Sequence, residues 1–156
     1  MKRNPKDLFF VGTQLLLFVA YLFRIVKIDF AVPYSLQLAG IIFSVAGIII
    51  SFAALFALNR NLSPFPTPKP SAELIQSGIY KYIRHPIYSG ILFFTYGYSL
   101  YSENTLRLLI FFLLLILFRF KAAYEENLLQ VKFSDYSTYK KTTGMFLPAM
   151  KAFFHG

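Results

Sequence analysis

The stretch AVPYSLQLAGIIFSVAGIIISFAALFAL, residues 31–58, decides the fold. It holds no charged side chain over a length greater than the ~20 apolar residues that cross a bilayer as a helix. Backbone groups in lipid must be satisfied within the segment, so the run reads as a transmembrane helix that follows a break at Pro33. Its excess length predicts tilt or protrusion. Gly40, Ser44, Gly47 and Ala54 keep one side small, which predicts close packing against another helix.

Upstream, Leu8 to Phe23 is also free of charge, and snorkelling Arg24 and Lys27 allow that span to reach Ile28. The basic start, Met1 to Asp7, looks like the beginning of a signal peptide. No small-residue cleavage site followed by a polar region comes after it, so the run is expected to be a retained span. Downstream, Asn59 to Gly78 changes character. Pro64, Pro66, Pro68 and Pro70 forbid a helix there, and a loop of this length within a compact chain is often functional. A third apolar run covers Pro86 to Ser102, and Glu103-Asn104 turns the chain into a fourth. Only Leu108 to Phe118 lies between Arg107 and Arg119, too short to span alone. The helical pattern continues through Lys121, Glu125, Glu126, Leu128 and Leu129, which predicts one long helix, half in lipid and half projecting. The end, Phe133 to Gly156, is polar and aromatic, with Gly144 and Pro148 as breakers.

The expectation is an all-α integral membrane protein with about four transmembrane helices and a cytoplasmic C-terminal helical extension. Composition agrees: 56% of the 156 residues are apolar, 15% are charged, and mean hydropathy is +0.54. A soluble domain has about a quarter charged residues. These values exclude a disordered chain and argue against a nucleic-acid partner despite the net charge of +9. The absence of cysteine excludes a disulfide framework, a cysteine nucleophile and a thiolate metal site. His85 and His155 are far apart, so no metal site is expected. With four spans, only Arg24, Lys27 and Arg107 fall on one side of the membrane. Every other Lys and Arg falls on the side that holds the N-terminus, the Pro-rich loop and the C-terminal part. The positive-inside rule then places both termini and the loop in the cytoplasm. The short chain suggests a prokaryotic cytoplasmic membrane.

The chemistry centres on Arg84-His85-Pro86-Ile87-Tyr88. The residue before a proline is pushed from helical angles, and proline favours the first helical position, so Pro86 should open the third span. A helix start flanked by Arg84 and His85 is a candidate anion site at the cytoplasmic membrane edge. Glu125-Glu126 lies on the same side, and adjacent carboxylates there must be solvated or paired. One pocket with an anion-binding end and a carboxylate end suits a zwitterion. A sulfonium is also welcome among Tyr80, Tyr82, Tyr88 and Tyr124 by cation–π attraction. Each piece has a plainer reading. The basic run can be snorkelling residues, the glutamates a solvated face paired with Lys121 or Lys132, the tyrosines an interfacial belt and the loop a mere connection, with His155 inert. The combination and its order favour function.

Gly78-Ile79-Tyr80, Arg84-His85-Pro86-Ile87-Tyr88-Ser89-Gly90, Glu125-Glu126, and then Phe133, Tyr136, Tyr139 and Pro148 resemble the integral-membrane methyltransferases. These include the isoprenylcysteine carboxyl methyltransferases and the phospholipid N-methyltransferases. The resemblance covers Asn59 to Pro148; the first two spans match in hydropathy only. It implies S-adenosylmethionine as cofactor and a division into two N-terminal transmembrane helices, 1–58, and a cofactor-binding methyltransferase core, 59–156. It implies that Glu73, Leu74 and Ile75 line the cofactor site. Tyr80, His85 and Tyr88 would contact the cofactor, with Pro86 and Ile87 at the helix start near its carboxylate, and Glu125 would bind it with Glu126 assisting. Carboxyl methyltransferases of this kind have an arginine four positions before the glutamate matching Glu125, implicated in substrate binding. Here that position is Lys121, which weakens the case for a prenylcysteine carboxylate.

Methyl transfer from a sulfonium needs no metal and depends mainly on alignment. A carboxylate acceptor needs no base, whereas an amine must lose a proton, for which His85 or Glu126 are the candidates. The acceptor is expected to be lipid-like, a prenylcysteine carboxylate or a phospholipid amine, entering between helices; the oligomeric state is left open. Two other readings stand beside this one. Membrane sterol reductases share an Arg-x-Pro-x-Tyr segment and bind NADPH there, but usually carry Asn before that Tyr and an acidic residue after the following Gly; here those positions are Ile87 and Ile91. A non-catalytic membrane scaffold has no need for the polar set of Tyr80, His85, Tyr88 and Glu125.

Overall fold

Local capping sets where the helices begin. The computed structural model describes residues 4–23, 30–58 and 62–149, and among these the chain has five α-helices and no strand. Helix α1, Pro5–Leu22, starts with proline at its first turn, and the Asn4 side chain accepts from the Lys6 amide at 3.0 Å. It ends earlier than the charge pattern allows. Phe23 is already extended (φ −85°, ψ 127°), so no helix continues through it toward Ile28; residues 24–29 lie outside the described set. Helix α2 is Tyr34–Leu58, beginning directly after Pro33. No helix forms in the Pro-rich segment 62–77. A 3₁₀ turn, Gly78–Lys81, leads into α3, Pro86–Tyr101, with proline at its first position and His85 outside helical angles at φ −123°. Helix α4, Thr105–Lys132, is a single long element capped by Asn104, whose side chain accepts from the Arg107 amide at 3.0 Å. A short helix, α5, Tyr136–Thr142, follows.

Helices α1 and α2 are long and apolar enough to cross a membrane. Both turn large apolar side chains outward: Leu16 is 68% exposed and Phe56 80%. Water penalises such a surface and lipid does not.

Helices α2 and α3 are joined along the small-residue stripe foreseen on α2. Gly40, Ser44, Gly47 and Ala54 are all buried. A Cβ on Gly40 would lie 2.6 Å from the Gly97 carbonyl oxygen, and one on Gly47 would lie 2.5 Å from that of Gly90. Backbone meets backbone, which only glycine permits at this separation. Helix α4 packs on α3 through stacked rings, Tyr88 on Phe118 at 4.7 Å, and on α1 through Phe10 against Tyr124 at 5.7 Å. Buried Leu17, Leu92, Ile110, Leu114 and Phe118 fill the space between these helices. At the end away from the Pro-rich loop, Glu103 closes the bundle by accepting from the Val32 amide at 3.1 Å and from Gln37 at 2.9 Å.

The segment after α5 returns to the start of α3. Arg84 and His85 amides donate to the Gly144 and Met145 carbonyls at 2.8 and 3.1 Å, and the Gly144 amide donates to Tyr82 at 3.1 Å. This short parallel pairing holds the Arg-His-Pro run against the C-terminal segment.

Gly97→Val is expected to destabilise the protein in detergent by about 1–3 kcal/mol or more through overpacking. Gly12→Ala, where a Cβ meets nothing within 4 Å, is expected to be neutral or slightly stabilising, as a helix-interior glycine replaced by alanine. Thermal melts of the two variants check the seam; equal melting temperatures would remove it as the α2–α3 contact.

Candidate functional site

Glu126 organises the site. It is 1% exposed and lies in the half of α4 beyond Arg119, clear of the apolar stretch 108–118. Arg84 Nε donates to its Oε1 at 2.8 Å, His85 Nε2 stands 3.3 Å from the same oxygen, and Lys140 Nζ lies 2.8 Å from Oε2. Burial alone raises a carboxyl pKa. Here the hydrogen bonds from His85, Lys140 and Arg84 outweigh it and hold Glu126 down at about 2. The Arg84 guanidinium is engaged further, donating to the Lys140 carbonyl at 3.1 Å and to the Thr143 carbonyl. The expected anion site flanked by Arg84 thus has its cation already paired with Glu126.

Glu125 points elsewhere. The Tyr88 hydroxyl donates to its Oε2 at 2.9 Å, and His85 Nδ1 is 3.8 Å from the same oxygen. His85 therefore sits between adjacent glutamates, its ring stacked on Tyr88 at 5.4 Å and 3°. Tyr88 in turn stacks on Phe118, so the pair is fixed from behind. Gly78 adopts φ +59°, a left-handed angle that opens the turn bringing Tyr80 inward. The Tyr139 hydroxyl donates to the Tyr80 carbonyl at 2.6 Å and ties α5 to that turn.

Two adjoining cavities meet on this frame. The first, ≈ 100 Å³, is lined by the Pro-rich loop at Phe65, Pro66 and Pro68, by Glu73, Leu74 and Ile75, and by Tyr136 and Tyr139. The second, ≈ 320 Å³, is lined by Gln14, Leu55, Pro86, Ile87, Tyr88, Ile91 and Lys121. Both share Leu58, Ser63, Tyr80, Arg84, His85 and Glu125. The second alone falls in the ~300–1,000 Å³ range of small-molecule sites. Of the expected cofactor residues, Glu73, Leu74, Ile75, Tyr80, His85, Pro86, Ile87, Tyr88 and Glu125 line one cavity or the other; Glu126 lines neither and stands behind the wall. Tyr82 and Tyr124 are also outside both. Tyr124 stacks on Phe10 and accepts from Asn4 at 2.9 Å.

Neither Lys121 nor Lys132 pairs with Glu125 or Glu126. Lys121 donates to Gln14 at 2.6 Å and to the Pro64 carbonyl at 3.0 Å, while Lys132 donates to the Lys69 and Pro70 carbonyls, the latter at 3.0 Å. Proline-rich backbone has carbonyls without matching N–H donors. Helix α4 supplies donors at both ends of the loop and so straps it across the first cavity.

Tyr136, Lys140 and Gln14 were not assigned to the pocket by sequence. Tyr136 is 1% exposed, and its buried hydroxyl has no hydrogen-bond partner among the described residues. Burial, then the nearby Glu126, raises its pKa, so it remains a donor at neutral pH. An orphan donor beside a cavity, a carboxylate at Glu125 and an aromatic wall together fit a zwitterionic, cationic cofactor. Among the described residues no cluster of side chains suits a metal ion.

The fold and pocket define an apolar helix bundle with a polar-lined cavity at its edge. The family model for phospholipid methyltransferases matches residues 36–136, more than half of the chain, and the protein belongs to that family. The family is one of membrane methyltransferases acting on lipid-like substrates. No curated protein matches the chain.

Replacing Glu126 leaves Arg84 and Lys140 without their shared anion, a loss of about 3–5 kcal/mol for a buried pair. Since its carboxyl is depressed from 4.5 to about 2, Glu126 contributes stability fully above pH 4.5, and that contribution is lost as pH falls toward 2. Glu126→Gln is therefore expected to melt lower at neutral pH and to lose less stability than the parent on acidification through that window. Melting curves at several pH values read both effects, and parallel curves would show that Glu126 is not held ionised.

Proposed function

We propose that the protein transfers a methyl group from S-adenosylmethionine to a lipid-like acceptor at the cytoplasmic face of the membrane. The observation that carries the proposal is Glu125, fixed by Tyr88 and His85 at the junction of two cavities whose walls include nine of the ten residues expected to hold the cofactor. The bound cofactor supplies an electrophilic methyl on a sulfonium.

The chain's own groups do the rest. Glu125 offers a carboxylate to the cationic end. The ring faces of Tyr80 and Tyr88 favour positive charge without adding a competing nucleophile. Leu74, Ile75 and the strapped loop exclude water from the first cavity. The Tyr136 hydroxyl supplies a neutral donor. Glu126 acts as a positioning residue: both its oxygens are engaged, and its depressed pKa leaves it a poor proton acceptor at neutral pH. His85 has one ring nitrogen against each glutamate, so its part is to hold Glu125 in place, with proton transfer as its secondary role.

The membrane arrangement we propose has four spans, α1 to α4, with α4 emerging into the cytoplasm beyond Arg119 and α5 packed beneath it. Both termini and the Pro-rich loop are then cytoplasmic, in a prokaryotic cytoplasmic membrane. The proposed division is two N-terminal transmembrane helices, 1–58, and a cofactor-binding core, 59–156, with Gln14, Leu55 and Leu58 of the N-terminal helices also lining the second cavity.

Calorimetric titration of the detergent-purified protein with S-adenosylhomocysteine is expected to show binding, with none for NADPH. Glu125→Ala is expected to weaken that binding at least ~10-fold, about 1.4 kcal/mol, and His85→Ala more than His155→Ala, whose site lies outside the described residues. Binding of NADPH alone would replace the proposal. The chain has no cysteine, so Ser71→Cys and Tyr101→Cys introduce single thiols at exposed positions. The first is expected to react only from the cytoplasmic side and the second only from the opposite side; the reverse pattern would invert the topology.

A further inference from the structure

Arg119 is the first charged residue after the apolar stretch 108–118 of α4. In the four-span arrangement it lies at the border between hydrocarbon and cytoplasm, at the depth of the lipid headgroups. Its side chain is exposed, and among the described residues its one hydrogen-bond partner is the Met145 thioether sulfur at 3.5 Å, a weak acceptor. Among the described residues no carboxylate is in ion-pair contact with it.

Deeper on the same face of α4 stand Leu115 and Phe111, four and eight positions before Arg119. They line a cavity of ≈ 270 Å³, whose other walls are Leu92 of α3 and Phe146 and Leu147 of the C-terminal segment. The segment that supplies Phe146 and Leu147 also supplies Met145, so Arg119 stands at the cavity's cytoplasmic mouth. The lining is apolar: the Ser89 hydroxyl on its wall is taken up by the His85 and Phe146 carbonyls, at 3.0 and 2.7 Å. A cavity of this kind stays dry and takes apolar guests.

This cavity is separate from the cofactor site. It shares no lining residue with the two cavities described above, nor with an apolar groove of ≈ 540 Å³ between α1, α2 and α3 that adjoins the second of them through Leu55 and Ile91. Phe146 stands between it and His85, the two rings 6.4 Å apart. An occupant is therefore walled off from the place of methyl transfer.

We propose that the cavity holds one acyl chain of a resident phospholipid whose phosphate pairs with Arg119, a lipid that braces the protein and is not its methyl acceptor. An apolar wall selects a hydrocarbon chain. The guanidinium fork at the mouth matches phosphate oxygens, and a bilayer supplies a phosphate joined to such chains at that depth. A neutral glyceride has the chains without the anion. The walls come from three separate pieces of chain, so a guest that binds them only when they are assembled stabilises the fold by mass action. The proposal needs neither cofactor nor acceptor. It rests on the four-span arrangement, which the thiol-labelling pattern tests by itself.

The protein has no tryptophan, so Phe111→Trp places one fluorophore on the cavity wall and Phe112→Trp one on the outer face. Phosphatidylglycerol with brominated chains, which quench tryptophan on contact, is titrated into each delipidated full-length variant in detergent. Saturable quenching is expected at position 111, displaced by unbrominated phosphatidylglycerol but not by diacylglycerol of the same chains. Only non-saturable quenching is expected at 112. Adding Arg119→Gln to Phe111→Trp is expected to raise the midpoint ~5-fold, the equivalent of about 1 kcal/mol for one basic residue at a phosphate surface. Arg119→Lys is expected to keep it within ~2-fold. Melting curves of the parent, which keeps Phe111, give a second readout. Saturating phosphatidylglycerol is expected to raise its melting temperature by ~3 °C or more, and Arg119→Gln to need more lipid for the same rise. Non-saturable quenching at 111, equal displacement by diacylglycerol, or a midpoint unchanged by Arg119→Gln would each overturn the proposal. Should Phe111→Trp fail to fold, a parent that melts alike with and without the lipid overturns it as well.

Discussion

A carboxylate held in the interior by an arginine, a histidine and a lysine is the constraint on which the site depends. Glu126 belongs to α4, Arg84 and His85 to the approach to α3, and Lys140 to α5. Other contacts join these elements in pairs, among them Tyr139 to Tyr80 and Tyr88 on Phe118, whereas Glu126 joins all three at one point. Helix α5 is a polar helix of seven residues, too short to be stable alone. The tie is directional as well as strong: the Arg84 guanidinium reaches past Glu126 to carbonyls at the end of α5. The orientation of His85, and through it of Glu125, follows from this arrangement. Adjacent acidic residues, alike in sequence, take opposite roles because one faces inward to three donors and the other faces the cavity junction.

The membrane half obeys a different physics. Between α2 and α3 no ion pair or side-chain hydrogen bond directs assembly among the described residues. Contact comes from the absence of side chains at Gly40, Gly47, Gly90 and Gly97, which lets the two backbones approach and gain dispersion contacts along their length. Phe43 of α2 also stacks on Phe93 of α3, while α1 and α4 meet through aromatic stacking and aliphatic interdigitation without a glycine seam. Because α1 stands apart from α2 and α3 by the width of the apolar groove, the bundle is tight on one side and open on the other.

Much of this was legible from the sequence because it depends on local or periodic signals. Prolines 33 and 86 mark helix starts through their own stereochemistry, the run Pro64 to Pro70 excludes a helix, and small residues on α2 mark the seam. The Arg-His-Pro-x-Tyr and Glu-Glu motifs located the cavities. The roles within the motifs were not legible. Arg84 looked like an anion binder, and only the fold reveals that its partner is Glu126, because nothing in the spacing of two distant motifs states which charge faces which. Tyr82 and Tyr124 share a residue type with Tyr80 and Tyr88 yet lie outside the pocket, since the facing of a 3₁₀ turn and of a projecting helix is set by packing. Lys140 and Gln14 carry no signal, and Tyr136 entered only as part of the family pattern with no role: the importance of each arises from a contact or a placement across the chain.

The seam between α2 and α3 has a mechanical consequence for the loop that joins them. Because glycines of one helix seat against carbonyls of the other, the pair behaves as a keyed joint: sliding by one residue would drive a side chain into backbone. The two ends of the intervening segment are therefore fixed abutments. A proline-rich span with few rotatable backbone angles, bolted to α4 near each end by a lysine, cannot take up slack by letting its helices shift. Its span is set by the joint rather than by its own hydrogen bonds. A substitution in the seam at Gly47 or Gly90 would alter the roof of a cavity that neither residue touches.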